Sequence, residues 1–232
     1  MTIFYEKGIK KGVNRLSEDE SKHCAQVLRH QVGDEILIFD GNGAKHHAVL
    51  TSISKKACEF EITSTEESPG KNFSIHLAIA PTKNMDRMEW LIEKLCEIGA
   101  DEVTFIQTKH SERKKLRMDR LEKKAISAMK QSGNPFLLRL NELTDFKTFI
   151  NGCQNECKLI AHVDKSHNYI QDHLTKNSSV AMLIGPEGDF SKDEVTAATQ
   201  SGFKPVSLGH NTLRTETAGF VACCIVNFVN QF

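Results

Sequence analysis

The sequence predicts an α/β protein, a mostly parallel, doubly wound sheet preceded by a small β-barrel. Three observations point to it. From Ser74 onward, short apolar runs alternate with helix-period segments, the pattern of strands joined by crossover helices. Up to about Thr65 the apolar runs are short and separated by turn residues, with one helical stretch among them. Between the two lies 66–72, EESPGKN, a polar stretch with a Pro-Gly pair that reads as a linker. The expected domains are therefore a barrel over 1–68 and a parallel-sheet domain over 73–232.

Each element has a local reason. In the first domain, 35–39 (EILIF) runs between Gly33-Asp34 and the hairpin signal Asp40-Gly41-Asn42-Gly43. Strands over 46–53 and 58–62 follow. The exception is 17–29, where Ser17 with Glu20 forms a capping-box pattern and Cys24, Val27 and Leu28 fall at helical spacing. In the second domain, 74–80 reads as a strand. The stretch 85–98 reads as an amphipathic helix carrying Met88, Leu91, Ile92, Leu95 and Ile98 on one side, closed by Gly99. Strands are expected over 102–107, 137–140, 158–163, 180–184 and 205–208. Helices are expected over 118–131, 146–150, weakly over 169–174, after Ser191 with its partner Glu194, and from 215 to 230. The last helix is apolar nearly all round, so it needs cover on every side, from the sheet and from either a second copy of the chain or the rest of the same chain.

Composition narrows the function. The hydrophobic fraction is 39% and the charged fraction 26%, as in water-soluble globular domains. No apolar run approaches the roughly 18 residues that a membrane span needs, so no membrane partner is expected. The N-terminal MTIFYEKGIKKG lacks a signal-peptide core, which points to the cytoplasm. Seven cysteines show no C-x-x-C spacing, and Cys153 and Cys157 with His162 and His167 make only a loose cluster. Free thiols and no metal are the expectation. The net charge is zero, which argues against indiscriminate nucleic-acid binding. The charge is unevenly spread, however: 109–124 holds eight Lys/Arg against three acids. Such a run is either a solvated helix face or a polyanion contact.

The ligand site is expected at the carboxyl ends of the late strands, where open α/β sheets bind small molecules. The familiar phosphate loops and the Gly-x-Ser-x-Gly elbow are absent. In their place stand Gly185-Pro186-Glu187-Gly188 and, further on, Leu208-Gly209 with Leu213-Arg214-Thr215-Glu216-Thr217. Backbone groups in such loops can read a purine edge, with Leu183, Leu208 and Leu213 as apolar walls. Glu187 and Glu216 either face a cation or serve the N-termini of the helices that follow them.

Those two motifs closely resemble the RsmE family, 16S ribosomal RNA uridine-N3 methyltransferases of the SPOUT superfamily. The segments Arg87-Met88-Glu89-Trp90, Ser111-Glu112-Arg113, Gln131-Ser132, Val27-Leu28-Arg29 and Gly33-Asp34 resemble the family's other motifs, so the likeness spans the chain. It implies a C-terminal trefoil knot, an N-terminal PUA-like barrel that docks RNA, and a homodimer built on the knot and the last helix. It implies S-adenosylmethionine as cofactor, held by Leu183, Gly185, Glu187, Gly188, Leu208, Gly209, Leu213 and Thr215, with the strand end 162–164 nearby. Another SPOUT activity, such as ribose 2′-O-methylation, or a non-catalytic RNA-binding assembly factor would share most of these features.

For uridine-N3 transfer, Arg214 is expected to stabilise charge on the uracil carbonyls, with Glu216 holding Arg214 or accepting the imide proton. A plain Arg214–Glu216 salt bridge is the structural alternative. Arg15, Arg29, Arg113, Lys114 and Arg117 are the expected phosphate contacts to 16S rRNA within the small subunit. Two departures stand out. Asp189 replaces a second glycine, which requires an ordinary φ there. Asn134 follows Lys130-Gln131-Ser132-Gly133 where the family motif carries a basic residue.

Overall fold

The computed structural model describes residues 1–9, 12–162 and 168–231. They fall into two compact units, one of Met1–Gly70 with Ile126–Leu137, the other of Lys71–Ala125 with the chain from Leu138 onward.

The first unit is a five-stranded sheet. Its strands are β1 (Thr2–Tyr5), β2 (Val13–Arg15), β3 (Glu35–Phe39), β4 (Ala44–Ser52) and β5 (Glu59–Glu67), in the order β1-β3-β4-β5-β2. β1 lies parallel to β3 and the other pairings are antiparallel. β1 and β2 do not pair with each other, so the expected barrel is an open half-barrel. Phe4, Leu16, Ile36, Ile38, Leu50 and Phe60 fill its concave side. The β3–β4 turn forms as its sequence predicts. Asp40 Oδ1 accepts the amides of Asn42 and Ala44, and Gly43 takes φ +110, with the Phe136 ring where a Cβ would stand.

The helix expected over 17–29 is in two parts, α1 (Glu18–Lys22) and a π-helical turn (His23–Leu28) that ends on Arg29 at φ +58. Only half of its capping box forms. Ser17 Oγ accepts from Glu20 N at 3.4 Å, but the Ser17 amide donates to Glu6, and the Glu20 carboxylate turns to Lys130 Nζ. Those long-range partners are invisible to a local pattern.

The second unit is a six-stranded parallel sheet of β6 (Ser74–Ile79), β7 (Glu102–Gln107), β8 (Arg139–Asp145), β9 (Cys157–Ala161), β10 (Ser179–Ile184) and β11 (Lys204–Val206). Its order is β11-β9-β10-β6-β7-β8, with every pairing parallel. The helices are α2 (Met85–Glu97), α3 (Met118–Ser132), α4 (Phe146–Gly152), α5 (Lys192–Gln200) and α6 (Thr215–Gln231). Phe146, Phe149 and Ile150 of α4 and Ala198 of α5 pack into the same core as Ala78, Ala181 and Leu183 of the sheet. α6 packs on α2 and on β6 and β10. Gly219 permits that approach, because a Cβ there would stand 3.1 Å from both Leu77 and Ile79.

Among the described residues, α6 is buried along one side and partly exposed along the other. Ala222, Cys223 and Val226 are fully buried, whereas Phe228 is 65% exposed and Phe220, Val221, Cys224 and Ile225 are partly exposed. Trp90 of α2 meets Phe220 edge-on and is itself 39% exposed.

Candidate functional site

The carboxyl ends of β9, β10 and β11 surround a cavity of about 310 Å³. It is lined by 184–187 and Asp189 after β10, by 207–215 after β11, and by Ala161, His162 and Ala218. The loop geometry follows from local chemistry. Gly185 is held tightly, since a Cβ would stand 3.2 Å from the Phe190 ring and backbone N. Gly209 takes φ +131, a backbone state that side chains disfavour, and Ser207 Oγ bonds both its amide and its carbonyl at 3.2 Å. At the rim, Tyr169 and His210 meet edge-on and share a 3.1 Å hydrogen bond. α6 begins at Thr215, so its amino end, with free backbone N–H groups, faces the same space.

The expected site residues divide. Gly185, Glu187, Leu208, Gly209, Leu213, Arg214 and Thr215 line the cavity. Leu183 lies behind it in the core, and Gly188 packs against His110 rather than lining it. Glu187 does not cap the following helix, because Ser191 and Glu194 form a complete capping box on α5; it lines the cavity and accepts the Lys83 amide at 3.4 Å. Arg214 is exposed and makes no ion pair among the described residues. Glu216 is buried and pairs loosely with Arg87 of α2 at 3.7 Å, and its second oxygen has no hydrogen-bond partner among the described residues. His162 lines the cavity, 3.3 Å from Asp189; Asp164, expected beside it, lies outside the described residues, as does His167. Among the described residues no three His, Cys, Asp or Glu side chains gather as metal ligands.

Asp189 corrects an expectation. Its φ is +60, a left-handed state suited to the glycine of the family pattern. The chain tolerates an aspartate because Oδ1 accepts the Phe190 amide at 2.8 Å and the carboxylate lies beside His162. Asn134 has a local partner too, accepting the Phe136 amide at 3.2 Å.

The five expected RNA contacts differ in what they already hold. Arg15 on β2 pairs with Glu59 at 2.7 Å, and Arg117 makes a two-pronged bond to Asp119 at 3.0 Å. Both are exposed, where such pairs are weak and exchange readily for phosphate. Arg29 and Lys114 are exposed, and their side chains make no hydrogen bond or ion pair among the described residues. Arg113 is different: it donates to the carbonyls of Thr82 and Lys83.

Residues 69–227 match the RNA methyltransferase domain family, and residues 16–63 match the RNA methyltransferase PUA domain family. The ribosomal RNA small subunit methyltransferase E of Buchnera aphidicola is 31% identical over 218 residues, 89% of this chain and 84% of that protein. The crystal structure of a probable rRNA-methyltransferase from Porphyromonas gingivalis is 40% identical, with a TM-score of 0.91 over 100% of this chain and 99% of that one. A ribosomal RNA small subunit methyltransferase E from Neisseria gonorrhoeae, crystallised bound to S-adenosyl methionine, is 27% identical, with a TM-score of 0.88 over 99% and 98% of the two chains.

Proposed function

The chain belongs to the RNA methyltransferase family, and from that premise we propose that it methylates N3 of a specific uridine in 16S rRNA, with S-adenosylmethionine as donor. The observation that carries this reading is the strand-end cavity with Arg214 in its wall, an arginine without an ion pair among the described residues.

The cavity's residues fit the cofactor. Leu208, Leu213, Ile184 and Ala218 offer apolar surface for a purine. Gly185 and Gly209 bring backbone into the cavity wall with no side chain of their own between it and the base and ribose. Glu187 and Asp189 supply negative charge for a sulfonium and an amino group. When bound, S-adenosylmethionine supplies an activated methyl group. The chain's own part is alignment and charge. Holding acceptor and donor in line is worth up to roughly 7–11 kcal/mol. Uridine N3 attacks poorly until its imide proton leaves, and the charge then spreads onto the flanking carbonyls. Arg214 is the cation for that charge. We assign the unpartnered Glu216 oxygen to Arg214 or to the imide proton, with Arg87 holding the other oxygen.

The first unit docks the RNA through Arg15 and Arg29, and Lys114 and Arg117 add phosphate contacts in the second. The target uridine must be unstacked to expose N3. The chain around the cavity forms a trefoil knot, and the half-covered face of α6 joins a second copy into a homodimer. The enzyme acts in the cytoplasm on the assembled small subunit.

The test is methylation of small subunits by the purified chain, followed by mass spectrometry of 16S nucleosides. The expected product is 3-methyluridine. A ribose-methylated nucleoside would replace N3 by a 2′-hydroxyl as acceptor. Cofactor binding without methyl incorporation would make the chain an assembly factor.

A further inference from the structure

The basic run 109–124 begins with a loop, 108–117, between β7 and α3. In sequence this loop is rich in Lys and Arg, and Arg113, Lys114 and Arg117 are its expected phosphate contacts. In the structure its first half is tied to other segments of the same unit. Thr108 and Ser111 close it on itself, the Thr108 amide donating to Ser111 Oγ at 2.9 Å and the Ser111 amide to the Thr108 carbonyl at 3.2 Å. So closed, it reaches three other segments. The Lys109 amide donates to Glu194 Oε1 at 2.7 Å, and Glu194 also completes the α5 capping box. His110 Nδ1 lies 3.2 Å from the Gly188 carbonyl and 3.0 Å from that of Asp189, so in its Nδ1–H tautomer the ring donates to both. Arg113 donates through Nε to the Thr82 carbonyl at 3.0 Å and through Nη2 to that of Lys83.

The two segments so held also meet each other. The Lys83 amide points at Glu187 in the cavity wall, and Lys83 Nζ returns to Glu112 at 3.0 Å. Gly188 leaves room for His110, whose Cβ would lie 3.4 Å from an added Cβ. Asp189, left-handed at φ +60, is the strained residue of the cavity wall, and His110 bonds its carbonyl.

We infer that Arg113 and His110 are positioning residues of the cofactor cavity. Arg113 fixes the 82–83 turn against Glu187, and His110 fixes the 188–189 turn beside Asp189, so that the wall is set before ligand arrives. Arg113 is then not a phosphate contact, because its guanidinium is already committed to two backbone carbonyls. Donating to a carbonyl pair through a planar fork is a task for arginine that a lysine fills only in part. The role rests on the reading of the cavity as the S-adenosylmethionine site.

The experiment measures S-adenosylmethionine affinity by calorimetry, and KM for small subunits and for cofactor separately, in wild type, Arg113→Ala, Arg113→Lys and Lys114→Ala. Arg113→Ala should weaken cofactor binding by about 10- to 100-fold, the scale of losing charge-assisted bonds. Its KM for subunits should stay within about twofold of wild type. Arg113→Lys should recover part of the loss. Lys114→Ala should do the reverse, raising KM for subunits with a reduced salt slope and leaving cofactor affinity unchanged. His110→Ala should weaken cofactor binding in the same direction, giving a second route to the wall should Arg113→Ala not fold. Unchanged cofactor affinity in the folded Arg113 and His110 variants, or a subunit KM that rises with Arg113→Ala, would overturn the inference. Failure of the wild type to bind the cofactor would instead overturn the functional reading itself.

Discussion

Two polar clusters sit at opposite ends of the same parallel sheet, and they are built on opposite rules. At the amino ends of β6, β7 and β8, His76, Glu102, Thr104, Arg139 and Asn141 satisfy one another. His76 Nε2 lies 2.8 Å from Thr104 Oγ1, Asn141 donates to Glu102 and Thr104 at 2.7 and 2.8 Å, and Arg139 donates to Glu102 at 3.0 Å. Burial pushes the Glu102 carboxyl up, but the Asn141 bond and the charges of His76 and Arg139 outweigh it and hold it below its ordinary value. At the carboxyl ends of β9, β10 and β11 the polar groups are left open: among the described residues Arg214 has no ion pair and one Glu216 oxygen has no hydrogen-bond partner. A closed network contributes to stability and has nothing left to offer a ligand. An open one withholds that stability and offers it to whatever binds.

The largest difference between the two ends is expected at Arg214. Arg214→Ala should lower single-turnover methyl transfer by about 10²–10³-fold, the scale of losing one group that stabilises developing charge. Its thermal midpoint should be unchanged, because the side chain makes no ion pair or side-chain hydrogen bond among the described residues. Equal turnover would remove Arg214 from the chemistry, and a large drop in melting temperature would move it into the structural class.

Gly209→Ala probes the same end at a smaller scale. The added side chain meets open space, so its cost is the strained φ alone, about 1–3 kcal/mol. The loop should relax rather than the fold, so cofactor affinity falls by about tenfold while the melting curve barely moves. At the other end the signs exchange. Glu102→Gln should cost about 1 kcal/mol of stability, through bonds to Asn141 and Arg139 that weaken when the charge is lost. Methyl transfer should be unaltered. Chemical denaturation alongside the activity assay separates the two outcomes.

The open end was easier to read in the sequence than the closed one, for a physical reason. Loops after strands declare themselves by composition: Gly185, Pro186, Gly188 and Gly209 are turn residues, and Leu208 and Leu213 stand out as apolar residues in loops. So the cavity wall from Gly185 to Thr215 was legible, and so was the order of strands and helices after Ser74. What escaped was pairing across the chain. β8 runs over Arg139–Asp145, longer and later than its apolar stretch, because pairing with β7 and not hydrophobicity extends it. Arg113 reads as a free cation until Thr82 and Lys83, some thirty residues away, are brought to it. His76 and Glu102 carry no motif, since only the parallel register of β6 and β7 makes His76 and Glu102 neighbours.

His76 gives the smallest and most specific test of the closed end. Burial holds its pKa below the ordinary 6.5, against the raising influence of Glu102, and its ring stacks edge-on with Phe149 at 5.2 Å. The folded state therefore keeps His76 neutral to a lower pH than the unfolded state does. Below about pH 6.5 the unfolded chain binds the extra proton first, so stability falls as pH falls from there to the folded pKa, and above that window it is flat for this group. The slope cannot exceed about 1.4 kcal/mol per pH unit for one proton. Urea unfolding between pH 7.5 and about 5.5 should show this decline, and His76→Gln should flatten it while cofactor affinity at pH 7.5 stays that of the wild type. The same slope in the variant would assign the effect to another histidine, and a loss of cofactor affinity would mean that the two ends of the sheet are coupled rather than independent.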